Sequence, residues 1–142
     1  MPQSRLQVRV PFADVDSSGR IHFTAMMRYM ENAEHELVRS LGFPRASTFL
    51  DIAFPRVHVS CNYRGAVRYD DLLSVEARVE HVGRSSWTVA FTIRLLQGAE
   101  PAIQLGKTVA EGQMTIVAMD THTERACALP DALREALSGS GN

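Results

Sequence analysis

The sequence predicts an α+β domain, an antiparallel five-stranded β-sheet wrapped around a long central α-helix. Between about Thr24 and Leu41, residues Met26, Met30, Ala33, Leu37 and Leu41 recur at helical spacing, with Met27, Tyr29 and Val38 widening the apolar stripe. The second half repeats instead with a period of two, the pattern of half-buried strands. Its connections are of hairpin length, which argues for antiparallel pairing. A helix this apolar does not belong on a surface, so the sheet is expected to cover it.

The elements follow in order. Arg5 to Phe12 alternates, placing Leu6, Val8, Val10 and Phe12 on one face of a first strand. The string DVDSSG, residues 14–19, is turn chemistry: Asp and Ser bond nearby backbone, and Gly19 tolerates positive φ. Along the helix, Glu31, Glu34 and Arg39 fall largely opposite the apolar stripe, and Gly42 followed by Pro44 marks the stop. Residues 45–54 read as a loop. Four strands come next: 56–69, interrupted or bent at Gly65; 71–82, turning at Gly83; 85–96, closed by residues 97–101; and 102–120. The last is long enough that a bulge is expected at Gly106 or Gly112. A short terminal helix over 131–137 starts at Pro130 and Asp131, and 138–142 form a frayed tail.

The chain of 142 residues suits one domain over its whole length. Fifteen basic against sixteen acidic residues give a net charge of −1 with no run of like charge, which excludes a general nucleic-acid binder. No stretch approaches the roughly 20 apolar residues of a membrane span, and the first ten residues lack the apolar core of a signal peptide. Cys61 and Cys127 stand outside any ligand-like spacing and read as thiols in a reducing compartment, so a cytoplasmic protein is expected. Glu31 and His35, four apart on the helix, have a spacing metals use, but no third ligand accompanies them and the string EHELV is not a His-Glu-x-x-His motif. No Gly-x-Ser-x-Gly elbow and no Gly-rich phosphate loop occur. Neither a metal nor a cofactor is expected.

The remaining chemistry sits at Asp14 and Asp16, just ahead of the long helix. By residue type alone each is either a cap or a reacting group. The helix start, at about His22 to Thr24, offers a complement, because the first amides of a helix have no intrahelical acceptor and carry partial positive charge.

The run from Phe12 through Asp14, Asp16, Gly19 and His22 to Phe23, followed by Arg28-Tyr29-Met30-Glu31 with Ala33 and by Leu41-Gly42, resembles the 4-hydroxybenzoyl-CoA thioesterase family of hotdog-fold acyl-CoA thioesterases. Residues 69–73, Gly83-Arg84-Ser85-Ser86, and Met119-Asp120 through Leu129-Pro130 continue the likeness in the same order. The chain departs from the pattern at Ala25-Met26, where many relatives carry a polar residue and then Tyr. The resemblance implies a hotdog fold and hydrolysis of an acyl-CoA thioester. It matches Asp16 to the catalytic carboxylate, as general base or nucleophile, and gives the backbone amide of Phe23 to the developing oxyanion. Asp14 is expected to bond turn amides and fix Asp16. His22 and Thr24, which flank Phe23, are substrate-binding candidates, although a lone His at such a junction also serves structure. Arg84 with Ser85 and Ser86 is the implied site for coenzyme A phosphates, with Arg64 and Arg68 as weaker candidates. The Asp-x-Asn-Pro-x-His signature of hotdog hydratases is absent, which favours hydrolysis. Two alternatives stay open: an acyl-carrier-protein thioesterase, and a non-catalytic acyl-thioester-binding protein. The resemblance also implies a homodimer or homotetramer, in line with the edge strand a lone sheet would expose.

Overall fold

The computed structural model describes residues 1–43, 49–98 and 105–139. Strand β1 (Gln3–Arg9) precedes helix α1 (Ala25–Ser40); then come β2 (Ile52–Ala53), β3 (Arg56–Tyr63), β4 (Leu72–Val82), β5 (Ser86–Gln97), β6 (Thr108–Val117), β7 (Met119–Asp120) and helix α2 (Asp131–Ser138). Five strands pair antiparallel in the order β1-β4-β5-β6-β3, and α1 packs across the sheet against β1, β4 and β3. The expected architecture is therefore present, with β1 and β3 as edges.

The core lies between α1 and the sheet. Met26, Met30 and Leu37 from the helix meet Phe91, Ile93 and Ile116 from the strands, all fully buried. Gly112 explains how the helix comes so close. It pairs in register with Phe91 on one side and Cys61 on the other, so it is not the bulge expected there. A Cβ at this position would lie 2.5 Å from the Ser60 carbonyl oxygen and closer still to Met30 Sδ. Gly106 makes a turn instead, at φ +79°. The irregularities fall elsewhere, including one between Arg56 and His58.

Three further expectations are corrected. The first strand ends at Arg9 because Val10 bonds the Asp70–Asp71 corner in both directions (2.9 Å each) and Pro11 has no N–H to continue the ladder. Phe12 then enters a single 3-10 turn, Phe12–Asp14, and is 74% exposed instead of sharing the buried face. Glu34 is buried, not on the solvent side of α1: its Oε2 accepts from Arg56 Nη2 at 3.0 Å, tying the helix to the start of β3. Ser138, assigned to the tail, closes α2, whose Leu133 and Leu137 are buried. The two-residue ladder of β2 with β7 escaped notice, being too short to show a period. The Pro44 stop, part of the 45–54 loop, the segment 102–104 and the last three residues lie outside the described residues. No helix among the described residues is long and apolar enough to cross a membrane.

Candidate active site

The turn before α1 is a small hairpin. Asp16 N–H donates to the Arg20 carbonyl at 2.8 Å, His22 N–H to the Asp14 carbonyl at 2.8 Å, and Val15 bridges Ile21. Gly19 closes it at φ +81°, where a side chain would be strained. Ile21 N–H bonds the Val67 carbonyl at 2.8 Å, which fastens the hairpin to the corner before β4.

The two carboxylates have different environments. Asp14 is buried; Arg28 Nη2 donates to its Oδ1 and the Tyr29 hydroxyl to its Oδ2, both at 2.6 Å. These bonds hold its carboxyl below the usual carboxylate range. Asp14 thus binds two side chains of the first helical turns rather than the turn amides expected of it. Burial, with Asp14 as acceptor, raises the Tyr29 phenol.

Asp16 is exposed. Its Oδ1 accepts from the Ser18 hydroxyl at 2.5 Å and the Ser18 amide at 2.8 Å. These hydrogen bonds, the hydroxyl's first, keep it ionised at neutral pH, with the amide of Arg20 and the charge of His22 adding to the effect. Among the described residues, Oδ2 takes no hydrogen bond, so one carboxylate oxygen is free to accept a proton or attack.

The helix mouth is short of acceptors. Thr24 is the N-cap and makes no side-chain cap bond, and no acidic residue occupies the first turn. Thr24 N–H donates to His22 Nδ1 at 3.3 Å and Ala25 N–H to the His22 carbonyl at 3.0 Å. Phe23 N–H, just ahead of them, has no acceptor among the described residues. The partial positive charge of the helix end is therefore uncompensated where Phe23 opens to solvent. The His22 ring stacks on Phe23 at 4.7 Å, with Nδ1 2.8 Å from Thr24 Oγ1. An acceptor role for Nδ1 leaves the ring proton on Nε2, pointing a donor outward.

Tyr63, which the sequence did not single out, donates its hydroxyl to the Phe23 carbonyl oxygen from the end of β3. Its phenol is pushed up to about 12, chiefly by burial. No local pattern could have found it, since the partners are 40 residues apart.

Asp16, His22, Phe23 and Thr24 are thus gathered at one mouth, and Arg68 stands beside it through its bridge to Arg20. Arg84, Ser85 and Ser86 are not. Arg84 and Ser85 form the β4–β5 turn, where their carbonyls accept from Leu129 and Ala118, and Ser86 opens β5. The Asp16 hairpin is fastened at the opposite end of β4, an 11-residue strand roughly 33 Å long.

Residues 18–102 match the family described as the thioesterase superfamily. A 1,4-dihydroxy-2-naphthoyl-CoA hydrolase of Synechococcus sp. (strain CC9605) is 29% identical over 98% of this chain and 92% of its own length. The long-chain acyl-CoA thioesterase FadM of Escherichia coli (strain K12) is 27% identical over 92% of this chain and 94% of its own. Among solved structures, a 1,4-dihydroxy-2-naphthoyl-CoA thioesterase from Synechocystis superposes with a TM-score of 0.85 at 18% identity, covering 97% of each chain. At that identity the likeness is one of fold.

Proposed function

This chain belongs to the thioesterase superfamily, and from that membership we propose that it hydrolyses acyl-coenzyme A thioesters to the free acid and coenzyme A. The observation that carries the reading is the unpartnered Phe23 N–H at an uncompensated helix end, one short hairpin away from an ionised Asp16. A thioester carbonyl seated on that amide gains stabilisation as its oxygen becomes negative, which is where a fixed donor accelerates acyl transfer. Asp16 either takes the proton of an attacking water or adds its free oxygen to the carbonyl. The thiolate of coenzyme A then departs without needing a strong acid. His22 Nε2–H and Thr24 are placed by this reading at the substrate's edge, and Tyr63 anchors the peptide that follows Phe23.

The phosphates of coenzyme A need cations. Within one chain the Arg84-Ser85-Ser86 turn is too far away to help, and a dimer supplies the answer. β3 is an unpaired edge whose Val59 faces the core side yet stays 41% exposed, and Val57 is 62% exposed. Two copies paired antiparallel along β3 bring the Arg56 end of one beside the Tyr63 end of the other. The Arg84 turn lies toward the Arg56 end, because Arg56 and Trp87 both register with Ile116. The reading therefore has the partner's turn hold the nucleotide phosphates, in a cytoplasmic homodimer that pairs again into a homotetramer. Relatives named for coenzyme A thioesters favour this cofactor over an acyl carrier protein as the acyl carrier.

The test is Asp16→Ala assayed by thiol release from a panel of acyl-CoA and acyl-carrier-protein thioesters. Turnover should fall by two or more orders of magnitude with an unchanged circular dichroism spectrum. Unchanged kcat would reject Asp16 as base or nucleophile, whereas absence of turnover by the wild type on every thioester, with binding retained, would leave the binding-protein reading.

A further inference from the structure

Toward the other end of α1, a cavity of about 240 Å³ lies between that helix and the starts of β3 and β5. His35 on its wall is roughly 18 Å along the helix from Phe23, twelve residues at about 1.5 Å each. A thioester whose carbonyl meets the Phe23 amide does not extend into it within one chain.

Register builds the floor. Arg56 and Trp87 flank Ile116 from opposite sides, so they stand on one face of the sheet with a single strand between them. Aromatic rings continue the wall: Trp87 meets Phe54 edge to face at 5.7 Å, Phe54 meets Phe49 at 6.0 Å, and Phe49 meets Phe43 at 5.3 Å. Two buried side-chain polar atoms among the described residues lack a hydrogen-bond partner, Arg56 Nε and Trp87 Nε1. Both are N–H donors, both belong to residues that line this cavity, and Trp87 is 3% exposed. A buried donor without an acceptor costs about 1–3 kcal/mol. Arg56 has already given Nη1 to the Phe54 carbonyl and Nη2 to Glu34, each at 3.0 Å. Arg56 is paired with Glu34 at 3.0 Å and Arg39 with Glu36 at 3.7 Å, so the pull on an anion comes from the two unpartnered donors. The cavity therefore offers two unsatisfied donors beside an aromatic wall.

We propose that it binds a one- or two-ring aromatic carboxylate, the ring against Phe54 and Trp87, the carboxylate accepting from Arg56 Nε and Trp87 Nε1. A cavity of roughly 150 Å³ already takes benzene, and the larger volume here accommodates a carboxylate or a second ring. Aliphatic acids satisfy the donors without using the wall; neutral arenes use the wall and leave the donors unpaired.

Trp87 is the single tryptophan, so its emission reports occupancy. Benzoate titrated into the full-length protein should change that emission saturably, with calorimetry alongside. Hexanoate and benzyl alcohol should bind at least about tenfold more weakly. Trp87→Phe keeps a ring but removes a donor, and should weaken benzoate about tenfold or more by calorimetry. Val38→Phe fills the cavity and should abolish binding. Asp16→Ala and saturating coenzyme A should leave benzoate binding unchanged, so this site is tested apart from the proposed hydrolysis. Absence of saturation overturns the proposal. So does benzoate binding removed by Asp16→Ala or by coenzyme A, or binding unaltered in Trp87→Phe.

Discussion

At the scale of single residues, the proposed function divides the two acids of the DVD turn between structure and chemistry. Asp14 has given both carboxylate oxygens to Arg28 and Tyr29. Asp14→Ala leaves the buried Tyr29 hydroxyl without an acceptor, which should cost about 2 kcal/mol, a fall of roughly 4–8 °C in Tm for a domain of this size. Arg28 is half exposed, so its share is small. The sign with pH follows from the depressed pKa of Asp14. Its stabilisation is fully present above the ordinary carboxylate value and is lost as pH falls through the lowered one. The wild type and Asp14→Ala should therefore differ by a constant amount above about pH 5 and converge in stronger acid. Asp16 makes a kinetic prediction instead. With Ser18 donating to it, the acid limb of kcat/KM, which reports the free enzyme, should lie below the ordinary carboxylate range. Ser18→Ala removes the largest cause of the shift and should move that limb upward. A limb that stays put in Ser18→Ala assigns the essential base to another group.

At the scale of elements, how much was legible depended on how local the cause was. The Asp16 turn, the Gly19 position and the start of α1 were readable because they arise from neighbours in sequence. Glu34 was misread because an acid beside an apolar stripe looks solvated until a cation from another element arrives; Arg56 is 22 residues away in the chain. Phe12 kept the strand period, but the Asp70–Asp71 corner and Pro11 ended the strand first. The distance of the Arg84 turn from Asp16 is a matter of sheet register, which no single segment encodes. Gly112 is the sharpest instance, since a glycine in a strand signals either a bulge or a close approach, and only the helix above it decides. Gly112→Ala should cost about 1–3 kcal/mol through overpacking, visible as a lower denaturation midpoint with an unchanged m-value. Replacing Met30 by a shorter side chain in that background should recover only part, because the Ser60 carbonyl oxygen belongs to the backbone and cannot swing away.

At the scale of the whole molecule, the proposed dimer makes a single chain half a site. One end carries Asp16, the Phe23 amide and the stacked His22–Phe23 pair, and the other carries the Arg84 turn. The free edge of β3 supplies a geometry that joins them, and its exposed valines have an apolar reason to be covered. Lysine at an edge blunts strand pairing, and Val59→Lys sets a charge against its symmetry-related copy without touching Asp16 or Phe23. Sedimentation should then report a monomer whose far-ultraviolet spectrum is intact. Its kcat/KM toward acyl-CoA should fall more than its hydrolysis of a small thioester that lacks the nucleotide, because only the former needs the partner's turn. Arg84→Ala in the intact dimer should reproduce the substrate-selective part of that loss through KM. A monomeric Val59→Lys that still hydrolyses acyl-CoA at the wild-type rate would mean that each chain binds the nucleotide with its own residues, Arg64 and Arg68 at the Tyr63 end of β3 being the cations left to do it.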